Sequence, residues 1–237
     1  MTTILRTENL RKSFNGIVAV DDLDFEMGDD GIECVIGPNG AGKTTFFNLL
    51  TGILKPDRGT IEFDGEDITG EPLYRVASRG IVRKYQTPTV YENLTVDRNL
   101  RIAATAANRK DVESRIDDAL DRIELGDQRD QMVGTLDHGS KQWLEIAMVL
   151  VNEPRLMLLD EPTAGMTHEE TRRTAELIKS INASGLPIIV IEHDLDFIRQ
   201  LSSHITVLHR GQILAQGDID AIEDNDEVQE VYIGGGA

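Results

Sequence analysis

The sequence predicts an α/β fold in which a mostly parallel sheet carries helices on its faces. Three observations support this fold class. Residues 37–45 (GPNGAGKTT) form a glycine-rich stretch between a short apolar run and the start of a helix. Residues 156–161 (LMLLDE) form a second apolar run, which ends in two carboxylates. Strand-like runs then alternate with helical segments to the end of the chain, a pattern typical of a mostly parallel sheet.

The amino-terminal third is predicted to be rich in β structure. Residues 3–27 alternate polar and apolar side chains, and Asp64-Gly65 after the run IEF is a hairpin turn signal. Residues 31–36 (GIECVI) predict a short buried strand, and residues 44–50 (TTFFNLL) predict a helix. The glycine-rich stretch therefore lies at a strand-to-helix turn.

That stretch fits the phosphate-loop pattern G-x-x-x-x-G-K-[ST]. An ordinary glycine-rich turn is the alternative, and the strand-turn-helix context disfavours it. Glycines let backbone N–H groups approach phosphate oxygens, and the helix amino terminus adds partial positive charge. Lys43 is expected to reach the β- and γ-phosphates, and Thr44 to ligate Mg²⁺. The expected phosphate-binding residues are Gly37, Pro38, Asn39, Gly40, Ala41, Gly42, Lys43, Thr44 and Thr45.

The second apolar run predicts the rest of a hydrolytic site. A buried strand ending at Asp160 and Glu161 would deliver both carboxylates to the same edge of the sheet. Asp160 is expected to hold Mg²⁺, and Glu161 to orient or deprotonate the attacking water. The two motifs together predict a chain that binds a nucleoside triphosphate and hydrolyses it.

The middle of the chain is predicted to be helical from about residue 92 to residue 150. The clearest helical patterns are residues 112–123 (VESRIDDALDRI) and 142–150 (QWLEIAMVL). We interpret this region as a helical subdomain inserted between the two motifs of a single domain, residues 1–237. Trp143 and Met148 are predicted to belong to its core.

Composition narrows the class of protein. The chain of 237 residues has 42 acidic and 24 basic residues, a net charge of −18, which disfavours a nucleic-acid surface. The acids are spread along the chain, so the protein is either ordinarily acidic or adapted to high salt (halophilic); we favour the second. No apolar run approaches the length that spans a bilayer, and the first residues lack the long apolar core expected of a signal peptide. The single cysteine, Cys34, is predicted to be buried.

The order of motifs resembles an ATP-binding cassette (ABC) ATPase over essentially the whole chain. The matching elements are the phosphate loop, Gln86, LDHGSKQ at 136–142, LMLLDEP at 156–162 and IEH at 191–193. Residues 83–96, 138–148 and 160–171 are similar to the urea-transporter ATP-binding subunit, with branched-chain amino-acid importers as the near alternative. The ending VYIG resembles the same group.

This resemblance implies a P-loop NTPase fold with an antiparallel β subdomain and a helical subdomain, and ATP with Mg²⁺ as cofactors. It places Phe14 against adenine, although a core phenylalanine is the alternative. Gln86 would sense Mg²⁺ and the attacking water, unless it is a solvated loop residue. His193, after the strand IIVIE, would contact the γ-phosphate as a third catalytic residue beside Glu161 and Gln86.

The resemblance also implies that two ATPase subunits sandwich ATP head to tail. The signature segment, residues 136–142, would face the γ-phosphate of the other subunit through Asp137, Gly139 and the helix amino terminus. Asp137 stands where serine is usual, and Ser140 where glutamine is usual. Asp137 would either repel the γ-phosphate or cap the helix that begins near Gly139, and Lys141 or molar salt could offset its charge.

The partners implied are transmembrane permease subunits, a second ATPase subunit in a homo- or heterodimer and, indirectly, an extracytoplasmic solute-binding protein. Residues 87–94 would line a groove for the permease through Pro88, Val90 and Tyr91, unless these residues pack under the helical subdomain. The expected location is the cytoplasmic face of the membrane, peripherally bound. A soluble cassette ATPase of DNA repair or translation and a catalytically weak regulatory scaffold are the alternatives.

Overall fold

The computed structural model describes residues 2–85, 89–105, 111–201 and 204–233. Its strands form two sheets, one of four strands in the order β2-β1-β4-β5 and one of six in the order β10-β9-β3-β8-β7-β6. Helices cover both faces of the larger sheet, so the fold class is the α/β class that the sequence predicts.

The four-stranded sheet is antiparallel. Its strands are β1 (Thr3–Phe14), β2 (Ile17–Gly28), β4 (Arg58–Phe63) and β5 (Glu66–Asp67). The predicted turn at Asp64-Gly65 joins β4 to β5, which pair through Phe63 with Glu66 and through Glu62 with Asp67. Asp64 takes a left-handed conformation with φ of 53°, which aspartate tolerates in tight turns.

The six-stranded sheet carries the predicted parallel core. Its strands are β3 (Ile32–Ile36), β6 (Ile81–Lys84), β7 (Leu156–Asp160), β8 (Ile188–Ile191), β9 (His204–His209) and β10 (Gln212–Gly217). All pairs are parallel except that of β9 with β10. All five residues of β7 are buried, as expected for a strand covered on both faces.

The helices are α1 (Lys43–Leu50), α2 (Leu73–Arg79), α3 (Val96–Thr105), α4 (Val112–Arg122), α5 (His138–Leu150), α6 (His168–Ala183), α7 (Leu195–Leu201), α8 (Ile219–Glu223) and α9 (Asp226–Ile233). Helix α5 begins four residues before the apolar run 142–150, because Asp137 caps it. Helix α6 begins in a capping box, in which Thr167 and Glu170 bond to each other's backbone N–H.

Two apolar cores lie on opposite faces of the six-stranded sheet. One joins the sheet to helices α3 to α6, and contains Cys34 and Trp143 with Met148 packed against it, as predicted. The other joins the sheet to α1 and the antiparallel strands. Among the residues described, no helix combines the length and the apolar character needed to cross a membrane.

Candidate nucleotide-binding and hydrolysis site

The predicted phosphate loop connects β3 to α1, and all nine predicted residues lie in this turn or in the first turn of the helix. A Cβ on Gly37 would lie 2.2 Å from the carbonyl oxygen of Leu208, and one on Gly42 would lie 2.3 Å from that of Ala19. Gly42, with φ of 107°, precedes α1 and gives it no side-chain cap. The N–H groups at the start of α1 are therefore available to an anion.

Lys43 lies along the inside of this loop. Its ammonium donates to the carbonyl oxygens of Gly37 at 2.5 Å and Pro38 at 3.1 Å. Partial burial lowers the pKa of Lys43, while the charges of Glu161 and Asp160 act in the opposite direction. The fold thus brings the lysine within electrostatic reach of both predicted carboxylates. Thr44 is exposed one residue further on.

Asp160 is the last residue of β7 and is buried. Its carboxylate accepts a hydrogen bond from Arg83, which also donates to the side-chain oxygen of Asn48 at 2.7 Å. The rings of Phe47 and Tyr85 lie 5.2 Å and 4.9 Å from the guanidinium carbon. Sequence reasoning missed Arg83. The available signal was a pair of basic residues ending the otherwise apolar run IVRK.

Glu161 follows Asp160 in a left-handed conformation, with φ of 46°. Such backbone strain in a residue other than glycine is concentrated at functional sites. The Glu161 N–H donates to the carbonyl oxygen of Ile191, the last residue of β8, at 2.9 Å. His193 lies two residues beyond that strand end, with its Nδ1 3.9 Å from a carboxylate oxygen of Glu161. The two predicted catalytic residues are therefore neighbours.

Glu192, which was not predicted, stabilises the positions of Glu161 and His193. Its buried carboxylate accepts the Thr163 hydroxyl at 2.5 Å, the Thr163 N–H at 3.2 Å and the His193 N–H at 3.1 Å. It thereby ties the turn that follows Glu161 to the turn that carries His193. The run IIVIEH contained it, but nothing in the sequence separates a supporting glutamate from a solvated one.

Phe14 ends β1, with 41% of its surface exposed. The ammonium of Lys12 lies 5.7 Å from the ring centroid. The ring is therefore accessible to a flat ligand and is not part of a core. Gln86 lies outside the described residues, as do Thr87 and Pro88.

The signature segment forms the amino end of α5. Asp137 accepts the N–H of Ser140 at 2.7 Å, which confirms the capping interpretation and lowers the pKa of Asp137. Ring nitrogen Nε2 of His138 lies 2.9 Å from the carbonyl oxygen of Ala164, and the Gly139 N–H donates to Glu170 at 3.2 Å. These contacts fix the segment to the turn before α6 and to the first turn of α6.

The donor set fits Mg²⁺ bound together with a triphosphate. Within the described ranges, no group of three or more His, Cys, Asp or Glu side chains is arranged to hold a metal ion by itself. Mg²⁺ commonly takes one or two carboxylates and completes its shell with phosphate oxygens and waters. Asp160 at the end of β7 and the hydroxyl of Thr44 in the first turn of α1 are donors of suitable types.

Comparisons with known proteins identify the family of the chain. Residues 20–164 match the ABC transporter family. The chain is 34% identical to the high-affinity branched-chain amino acid transport ATP-binding protein BraF of Pseudomonas aeruginosa, with 98% of each chain covered. It is 32% identical to a probable branched-chain amino acid transport ATP-binding protein LivG of Archaeoglobus fulgidus, covering 98% of this chain and 95% of that protein.

Two crystal structures of ABC transporter cassettes have the same fold. One, in its ADP conformation, has a TM-score of 0.92 at 30% identity and covers 99% of this chain and 100% of its own. The other, free of nucleotide, has a TM-score of 0.90 at 30% identity and covers 98% and 100%.

The fold and the site thus define an ATP-binding cassette with the machinery of a P-loop ATPase. The chain belongs to the ABC transporter family, and it is the ATP-binding and ATP-hydrolysing type of subunit that the motifs predict, with ATP and Mg²⁺ as cofactors. The comparisons do not favour the scaffold alternative.

Proposed function

We propose that the chain powers import of urea or of a branched-chain amino acid through separate transmembrane permease subunits. Full-length similarity to branched-chain amino acid transport ATP-binding proteins supports the amino-acid assignment. The sequences of residues 83–96 and 138–148 support the urea assignment by resemblance. The observation that carries the ATPase role is the convergence of Lys43, Asp160, Glu161 and His193 at the carboxyl ends of β3, β7 and β8.

Each residue has a role that its position supports. The backbone N–H groups of the phosphate loop, other than at Pro38, which has none, and the ammonium of Lys43 bind the phosphates. Bound Mg²⁺, held by Thr44 and Asp160, would neutralise charge on the transferred phosphoryl group. Glu161 orients or deprotonates the attacking water, and His193, whose Nδ1 lies 3.9 Å from a carboxylate oxygen of Glu161, contacts the γ-phosphate.

Glu192 keeps the turns of Glu161 and His193 in register. Phe14, exposed at the end of β1, stacks on the adenine ring. Gln86 keeps its proposed role near the metal and the water from the resemblance alone.

The permease is proposed to dock beside Tyr91. The backbone of Tyr91 is held by the buried side chain of Asn99, which accepts its N–H at 2.7 Å and donates to its carbonyl oxygen at 3.1 Å. The Tyr91 side chain is 53% exposed, whereas Val90 packs against the helical core. The exposed Tyr91 side chain is therefore placed to contact the permease, and Val90 holds the segment against the helical core. This docking would place the subunit peripherally on the cytoplasmic face.

We further propose that two ATPase subunits, identical or different, pair head to tail. Completion of one site by the signature segment of the other would use Gly139 and the amino end of α5. An extracytoplasmic solute-binding protein would act on this subunit only through the permease. The net charge of −18 argues against nucleic acid as a partner.

Transport reconstitution tests this function. Candidate permease subunits would be placed in liposomes with this chain, and ATP hydrolysis would be measured with binding protein loaded with urea or with leucine. Stimulation by one solute assigns it, and stimulation by neither contradicts the importer proposal. Lys43→Ala is the matched control, because it should abolish MgATP binding by calorimetry without changing permease association. Unchanged affinity in that variant would contradict the phosphate-loop assignment. Tyr91→Ala should weaken permease association without changing the affinity for MgATP.

A further inference from the structure

The carboxylate of Asp160 has a buried cationic partner of its own. The side chains of Arg83 and Asp160 are each 4% exposed, on the neighbouring strands β6 and β7. One terminal nitrogen of Arg83 donates to Oδ2 of Asp160, and the other donates to Asn48 on α1 at 2.7 Å. With Phe47 and Tyr85 packed around it, the guanidinium has a fixed position.

A fixed cation beside Asp160 changes the affinity of this carboxylate for a metal ion. An isolated buried carboxylate would attract any divalent cation strongly, because little water screens it. Arg83 already neutralises that charge, and a metal beside Asp160 would face the guanidinium as a like charge. A metal that arrives with a triphosphate brings enough negative charge to offset this repulsion.

We propose that Arg83 is a positioning residue that orients Asp160 and makes binding of Mg²⁺ depend on the triphosphate. The proposal rests on the assignment of Asp160 as a magnesium ligand. Arg83 holds Oδ2 by a hydrogen bond, which fixes the rotation of the carboxylate. Its charge weakens binding of the metal alone more than binding of the metal with nucleotide.

The adjacent residue supplies a matched control. Lys84 is also a buried cation at the end of β6, but it pairs with Glu145 at 3.2 Å, and these two side chains are 2% and 3% exposed. Successive residues of a strand point to opposite faces, so Lys84 serves a different carboxylate on the α5 side. Arg83→Met and Lys84→Met each remove one buried cation, and only the first changes the charge at Asp160.

The experiment measures metal binding in the absence of nucleotide. Melting midpoints would be recorded in EDTA and in millimolar MnCl₂, and Mn²⁺ affinity by electron paramagnetic resonance. Both variants should melt earlier than wild type in EDTA. Mn²⁺ should restore several degrees to Arg83→Met alone, with Mn²⁺ bound at least about tenfold more tightly than by wild type. Equal responses of the two variants, or tight Mn²⁺ binding by wild type without nucleotide, would overturn the proposal.

Further variants separate this proposal from the assignment of Asp160. The double variant Arg83→Met/Asp160→Asn should lose the gain in melting temperature and Mn²⁺ affinity. If the gain persists, Asp160 is not the ligand, and both its assignment and the role of Arg83 are refuted. If Asp160→Asn alone weakens the Mn²⁺ dependence of ATP binding while Arg83→Met shows no gain, only the role of Arg83 is refuted. Should Arg83→Met not fold, Arg83→Gln keeps a hydrogen bond without the charge and must show the same gain. Arg83→Lys keeps the charge and should not show it.

Discussion

Replacing Asp137 by asparagine should cost less stability than replacing it by alanine, and should raise the ATPase rate at low salt. Asparagine has a side-chain oxygen where Asp137 accepts the N–H of Ser140 at 2.7 Å, and the two residues cap helices equally well. Asp137→Ala removes the acceptor, and should cost about 1 kcal/mol, or about 2–4 °C in melting temperature for a chain of this length. The two variants therefore separate the cap from the charge.

The charge effect follows from the state of Asp137. Its hydrogen bond to the backbone of Ser140 lowers its pKa, so the carboxylate is ionised at neutral pH. Lys141 does not neutralise it by a direct ion pair, because the Lys141 ammonium pairs with Glu92 at 2.7 Å. A unit charge 4 Å from a phosphate charge costs about 1 kcal/mol in water and about 4 kcal/mol at an effective dielectric constant of about 20. The lower value, about 1 kcal/mol, corresponds to a factor of about 5 in the equilibrium constant for ATP-dependent pairing of two subunits.

The assay is ATPase rate and dimer fraction against KCl for the wild type and for Asp137→Asn. The gap should narrow as KCl rises to molar concentration, where the Debye length is about 3 Å. Asp218→Asn is the control, since Asp218 caps α8 through the N–H of Ala221 at 2.9 Å. If Asp137→Asn is no faster at any salt, the carboxylate does not face a phosphate. If it melts as early as Asp137→Ala, the capping hydrogen bond is not the stabilising contact.

Three further outcomes are expected. Glu161→Gln should still bind ATP but hydrolyse it at least about 10²-fold more slowly, leaving an ATP-bound dimer on size-exclusion chromatography; a monomer with full activity would exclude Glu161 as the base. Phe14→Ala should weaken ATP and GTP binding by about 1–3 kcal/mol in calorimetry, and unchanged affinity for both would argue against stacking. If the net charge of −18 is a high-salt adaptation, the melting temperature should rise from low to molar KCl, and a flat or falling curve would contradict it.

The sequence predicts those parts of the fold and site that local patterns determine. Parallel strands that are buried on both faces have nearly continuous apolar sequences. The run LMLLD therefore predicts β7, in which all five residues are buried. Because ligand-binding residues collect at the carboxyl ends of such strands, Asp160, Glu161 and His193 could be grouped without knowing the strand order.

Contacts that depend on tertiary register were not predictable. Arg83 reaches Asp160 across 77 residues, and only the pairing of β6 with β7 makes them neighbours. The supporting role of Glu192 becomes visible only from its contact with Thr163, which lies 29 residues away in the sequence. Asp137 was ambiguous for a similar reason, because the start of α5 was needed to identify the cap.

Strand β6 joins the site to the helical region through its last two residues. Arg83 holds Asp160 on one face, while Lys84 pairs with Glu145 of α5 on the other. Glu145 also accepts the N–H of Thr89 at 2.5 Å, so one carboxylate contacts the chain on both sides of Gln86. Separating a buried ion pair by removing one partner costs about 3–5 kcal/mol. Helix α5, whose amino end is the signature segment, is thus connected through Glu145 both to Lys84 at the end of β6 and to Thr89.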